Sequence, residues 1–91
     1  MNAEIEHKGN RFIKVVDGME SILEYERYDP STVIFYHTFV PEELRGRGLA
    51  TQIIREGLDW AMKEELKIIP SCSAVKKFIE RNTIYSAYCM R

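Results

Sequence analysis

Short strand-like runs of apolar and polar residues, broken by turn signals, fill the first forty positions, and from Gly48 apolar residues recur at three- and four-residue steps. The first regime reads as an antiparallel meander. Ile5 to Lys8 is a short strand candidate, and Gly9-Asn10 after it suits the positive-φ positions of a tight hairpin. Arg11 to Val16 is rich in β-branched and aromatic residues and ends at Asp17-Gly18, a second hairpin signal. Ser21 to Tyr28 follows, with Leu23, Tyr25 and Arg27 on one face and Ile22, Glu24, Glu26 and Tyr28 on the other, before Asp29-Pro30-Ser31 turns the chain again. The fourth strand, Thr32 to Val40, is apolar or aromatic on both faces and ends at Pro41. It is therefore expected in the middle of a sheet with material packed on each side.

From Gly48 to about Glu64 the period becomes helical, with Leu49, Ala50, Ile53, Ile54, Gly57, Leu58, Ala61 and Met62 on one stripe. Gly57 lowers helix propensity by about 1 kcal/mol relative to Ala, which points to close packing against a neighbour. Leu66 to Ile69, stopped by Pro70, reads as a fifth strand, and Ser73 to Arg81 as a second helix with Ala74, Val75, Phe78 and Ile79 inward. The tail from Ile84 to Met90 fits either a last strand or irregular chain. The expected fold class is α+β: a four-stranded antiparallel meander followed by helix, strand, helix, in one domain spanning 1–91.

With 91 residues, two domains would each be too small to bury a core. The formal net charge of −1, with basic and acidic residues mixed along the chain, argues against a nucleic-acid partner. No stretch approaches the roughly 18 to 20 apolar residues that span a bilayer, and Met1 to Glu6 lacks the features of a signal peptide, so a cytoplasmic protein without membrane association is expected. Two histidines, His7 and His37, and two distant cysteines, Cys72 and Cys89, make no metal-ligand set, and both thiols are expected free.

Candidate chemistry gathers between the fourth strand and the first helix, where Leu44-Arg45-Gly46-Arg47-Gly48-Leu49-Ala50 leads into the helix. A helix start leaves backbone N–H groups unpaired and carries partial positive charge. Glycines let the backbone approach a ligand, and Arg45 and Arg47 add charge, so the turn suits a pyrophosphate. Taken alone, Gly-x-Gly is equally a plain strand-to-helix turn. Thr51 stands where a dinucleotide fingerprint needs its third glycine, and no Gly-Lys-Ser/Thr P-loop is present.

His37-Thr38-Phe39-Val40-Pro41 followed by Leu44 to Ala50 resembles the acetyl-CoA signature of the GNAT superfamily of N-acetyltransferases. Ile69-Pro70-Ser71-Cys72 with the following apolar helix and Tyr85 resembles a small single-domain branch that carries a cysteine after its fifth strand. The resemblance implies acetyl-CoA as co-substrate, with the amides around Arg45 to Ala50 on the pyrophosphate. It also implies that Thr38, Phe39 and Val40 lie along the pantetheine arm, with Phe39 and Val40 pairing to it like an added strand. The chain departs from the pattern at three places. Glu43 stands where larger members carry Gln or Arg, Ile79 where many carry a general-acid tyrosine (leaving that role vacant or to a residue such as Tyr85), and Asn82-Thr83 where the branch carries His-Pro.

Cys72, just before the second helix, is read either as a buried structural cysteine or as a thiol moved toward its nucleophilic thiolate by the helix start. The resemblance favours the second. His37 is read either as a packed sheet histidine or as a general base, and plain alternation puts it on the same face as Phe35 and Phe39. Lys76, Lys77, Glu80 and Arg81 are most simply a solvated helix face. The function expected is acetyl transfer to an unidentified amine, directly or through Cys72, by a monomer or weak homodimer. The alternative is an acyl-CoA-binding module acting as a sensor or partner subunit, and a third class is a small interaction protein without a ligand.

Overall fold

Three turns set the register of the meander in the computed structural model, which describes residues 5–89. Asp17 and Gly18 adopt φ of 53° and 76°, the left-handed pair of a two-residue hairpin, which pairs Val16 with Met19. The third strand therefore starts at Met19, ahead of the Ser21 that the residue pattern suggests. The strands are β1 (Ile5–Lys8), β2 (Arg11–Val16), β3 (Met19–Asp29) and β4 (Thr32–Phe39), each antiparallel to the next. A 3₁₀ turn, Glu42–Leu44, and α1 (Leu49–Lys63) lead to β5 (Lys67–Pro70), which lies parallel to β4; α2 (Ser73–Arg81) follows. The sheet has five strands in sequence order, so β4 is interior and β5 lies at an edge, where a proline without an N–H is tolerated.

Both helices cover the same face of the sheet. Phe12, Leu23, Tyr25, Val33, Phe35 and Ile68 from the strands share one core with Ile53, Ile54, Leu58 and Ala61 of α1 and Val75, Phe78 and Ile79 of α2. The expectation of material on each side of β4 is thus corrected. On the other face Ile34 and Ile69 are half-buried, and Tyr36 is 42% exposed. Among the described residues two α-helices flank the sheet, and both are used on one side.

The decisive irregularity lies in β4. Tyr25 of β3 pairs with Phe35, but Glu24 pairs with His37, so Tyr36 is an extra residue forming a β-bulge. A one-residue insertion reverses the faces of everything beyond it. Thr38, opposite the buried Leu23, faces the helices, whereas His37 and Phe39, opposite Glu24 and Ile22, face away. His37 and Phe39 are therefore not on the side of Phe35, contrary to plain alternation.

The tail folds as a 3₁₀ segment, Thr83–Tyr88, with Tyr85 buried, and Cys89 makes an isolated parallel bridge to Ile68. Residues 1–4, Met90 and Arg91, which the expected 1–91 domain includes, lie outside the described residues. No helix among the described residues is long and apolar enough to cross a membrane.

Candidate functional site

The β4–β5 ladder ends at Phe35 and Pro70, and the two strands then part. From Tyr36 onward β4 has no strand neighbour on that side among the described residues, so its backbone edge is open. The chain after β5 is drawn back against β4 at one point, where the Cys72 N–H donates to the Phe35 carbonyl at 3.0 Å. The gap between the strands is bordered by the starts of both helices.

At α1 the lead-in turn is fixed from below. The Leu44 side chain is fully buried, and the N–H groups of Leu44 and Arg45 donate to the carbonyls of Pro41 and Glu42 at 2.9 and 3.2 Å. Gly46 and Gly48 then adopt φ of 87° and 76°, with Gly48 as the N-cap of α1. These left-handed conformations are strained for residues with a Cβ. No side chain caps the helix, and the first closed turn is the Gln52 N–H donating to the Gly48 carbonyl at 3.1 Å. The N–H groups of residues 46–51 consequently have no acceptor among the described residues. Successive unpaired donors at a helix mouth are the kind of arrangement from which anion-binding concavities are built.

These donors border a groove of about 320 Å³ lined by Thr38, Phe39, Val40, Leu44, Arg45, Gly46, Gly48, Leu49, Ala50, Thr51 and Ala74. The lining takes in every residue of the predicted coenzyme stretch except Arg47. That guanidinium instead meets the Asp17 carboxylate of the β2–β3 hairpin at 3.4 Å, an exposed pair of little stabilising value. Arg45 remains at the groove, with its Nε donating to the Val40 carbonyl at 3.1 Å. Glu43, next to Leu44 in sequence, is not among the lining residues.

A second groove, about 380 Å³, adjoins the first through Ala50, Thr51 and Ala74 and carries Lys77, Arg81 and Asn82. Among the described residues no acidic side chain lines either groove. Sequence periodicity placed Lys77 and Arg81 on a solvated helix face. Their shared edge of α2 faces the groove because α2 packs beside α1, and no local signal reports that packing.

Cys72 is half-buried at the N-cap of α2. Its Sγ lies 3.3 Å from Thr38 Oγ1, and either atom is able to donate. Burial alone pushes the thiol up. The Thr38 hydroxyl and the N–H groups of Val75, Ala74 and Thr38 outweigh burial and hold the thiol below its ordinary range. His37, exposed on the opposite face, has no side-chain hydrogen bond among the described residues and lines neither groove. Tyr85 lies elsewhere: its hydroxyl donates to Asp59 Oδ1 of α1 at 2.7 Å, and burial together with that carboxylate raises its pKa. Such a phenol braces the helices and is a poor proton donor to the gap. Among the described residues no three His, Cys, Asp or Glu side chains gather closely enough to hold a metal ion.

A family model described as GCN5-related N-acetyl-transferase matches residues 11–88. Protein NATD1 of Xenopus tropicalis is 29% identical over 86 residues, covering 92% of this chain and 79% of that protein. Protein NATD1 of Danio rerio is 35% identical over 63 residues, covering 69% of this chain and 57% of the relative. The chain thus spans between 57% and 79% of the length of these relatives. A GCN5-like protein from Staphylococcus aureus, solved by NMR, superposes with a TM-score of 0.77 at 28% identity, covering 98% of this chain and 89% of the other.

Proposed function

We propose an acyl transfer for this chain, which belongs to the GCN5-related N-acetyltransferase family: an acetyl group passes from acetyl-CoA to an amine by way of Cys72. The observation that carries the reading is the run of N–H groups at residues 46–51 that, among the described residues, lack an acceptor and stand on a groove without carboxylates. A diphosphate satisfies such donors without a side-chain counter-ion, so Glu43 is no obstacle. The open edge of β4 at Phe39 and Val40 suits the two amides of a pantetheine arm, which would add to the sheet as a short strand. The adjoining groove, with Lys77 and Arg81, takes the nucleotide end. The thioester then lies in the gap between β4 and β5, beside Thr38 and Cys72.

Cys72 acts as a thiolate. Its sulfur attacks the thioester carbon; a new C–S bond forms at Cys72, and the coenzyme leaves as a thiolate that takes a proton from water. An amine entering from the other face attacks the acyl-cysteine carbon, the bond to Cys72 breaks, and the thiolate is restored. The proton lost by the amine passes to His37 or to water on that face. The sheet gap is what lets groups on opposite faces share one acyl carbon.

Release of free coenzyme thiol with a panel of amines tests the reading. Turnover supports it; tight coenzyme binding with no turnover favours a binding module instead. Two substitutions probe the grooves. Gly48→Ala is expected to weaken coenzyme binding about tenfold, because left-handed backbone costs about 1–2 kcal/mol there, although a Cβ would meet nothing within 4 Å. Calorimetric titration measures this. Replacing Lys77 and Arg81 together by Ala is expected to raise the dissociation constant roughly tenfold at low salt, a loss that shrinks as salt screens the phosphates. Equal affinities at low salt would remove the second groove from the coenzyme path.

A further inference from the structure

The bulge at Tyr36 has a chemical consequence. The sequence offers His37 and Thr38 side by side on one strand, and strict alternation from Phe35 would turn His37 toward the helices and Cys72. The extra residue in β4 reverses that order, so Thr38 faces the thiol and His37 faces the other side. Cys72 therefore lacks the imidazole partner that activates many cysteine nucleophiles. The one side-chain hydrogen bond of its sulfur among the described residues is the 3.3 Å contact with Thr38 Oγ1. The same strand residue lines the groove that would bring the thioester in.

We propose that Thr38 is a positioning residue that holds Cys72 as a thiolate, its hydroxyl donating to the sulfur, so that the nucleophile works without a histidine base. The proposal rests on the covalent reading of the transfer. Ionisation of Cys72 gives its proton to water; Thr38 keeps its own and turns its O–H toward the sulfur anion. A hydroxyl is suited to this because it rotates between accepting from S–H and donating to S⁻ without moving a heavy atom. The N–H groups at the start of α2 add to the stabilisation, and Thr38 fixes the sulfur at the mouth of the gap. His37 is left free to serve the amine. A regular strand would have set the same two residues the other way round, with His37 toward the thiol and Thr38 away from it.

The test needs no coenzyme. The rate of carboxamidomethylation of Cys72 by iodoacetamide, read by peptide mass spectrometry so that Cys89 does not interfere, is measured from pH 5 to pH 10. This is done for the unaltered chain, Thr38→Val and Thr38→Ser. Valine keeps the shape and loses the hydroxyl, whereas serine keeps the hydroxyl. The expected result is a rate at pH 7 about tenfold lower in Thr38→Val, equivalent to one pKa unit. The high-pH plateau stays the same, and Thr38→Ser comes close to the original profile. An unchanged profile in Thr38→Val overturns the proposal, and so does an equal shift in both variants, which would trace the effect to side-chain packing at position 38 rather than to the hydroxyl. A parallel measurement of transfer separates this from the covalent reading. If alkylation shifts as expected but kcat keeps its original pH profile in Thr38→Val, the Thr38–Cys72 link stands and the acyl-cysteine route falls.

Discussion

Cys72→Ala is expected to lower the rate of acetyl transfer by at least about 100-fold while leaving coenzyme binding within about twofold. The asymmetry follows from position. Cys72 lies in contact with Thr38 at the gap, but it is not among the residues lining the groove where the diphosphate and pantetheine arm would rest. Loss of the sulfur therefore removes a bond-forming group and little of the binding surface. Single-turnover mixing with acetyl-CoA, read by intact-protein mass spectrometry, should show one added acetyl group on the unaltered chain and none on Cys72→Ala. A variant that transfers acetyl at more than about a tenth of the original rate would assign the reaction to direct attack by the amine.

The largest expected effect on stability is at Gly57, on the buried side of α1. A Cβ added there would fall 2.5 Å from Leu23 Cδ2 and 3.2 Å from Phe35 Cε1, both on fully buried side chains. Alanine in a helix gains about 1 kcal/mol over glycine, but overpacking a closed core costs typically 1–3 kcal/mol and more where neighbours are unable to move. Leu23 sits between Phe12 and Thr38 in the ladder and has little room to retreat. Gly57→Ala is thus expected to be destabilised by about 1–2 kcal/mol net, a fall in Tm of roughly 10 °C for a chain of this size. Thermal denaturation checks this, and a raised Tm would mean that the core relaxes freely at this point. The close approach also matters for the site, since it sets the height of α1 above β3 and β4 and hence the width of the groove at its N-terminus.

Much of the architecture was legible because it is locally encoded. The spans Ile5–Lys8, Arg11–Val16 and Ser73–Arg81 follow from periodicity and turn residues alone; β4 differs from the pattern by one residue at its end and α1 by one at each end. The α+β class follows from the order of those elements and its GNAT likeness from the resemblance of the Leu44 to Ala50 signature, and the family match and structural superposition agree with both. Gly57 was legible as a close approach because nothing else explains a glycine inside a helix. The Leu44 to Ala50 turn was legible as a place for backbone donors because two glycines precede an uncapped helix.

What was not legible depends on contacts between distant residues. The bulge at Tyr36 has no sequence mark, since any residue tolerates the extra position, and it reverses the faces of His37 and Thr38. The pairing of Thr38 with Cys72 joins β4 to the start of α2 across the gap. Helix packing turns the edge of α2 that carries Lys77 and Arg81 toward a groove. The choice between strand and irregular chain at the tail was decided by Tyr85, which reaches Asp59 on α1 and so winds the segment into a 3₁₀ turn before Cys89 touches Ile68.

Titration of isotopically labelled protein with acetyl-CoA, followed through its backbone amide resonances, tests the coenzyme site most directly. The largest shifts are expected on Gly46 to Thr51, where the N–H groups gain phosphate acceptors, and on Thr38 to Val40 at the open end of β4. Saturating coenzyme that leaves those resonances in place, or moves a different set on the far face of the sheet, would contradict the proposed site.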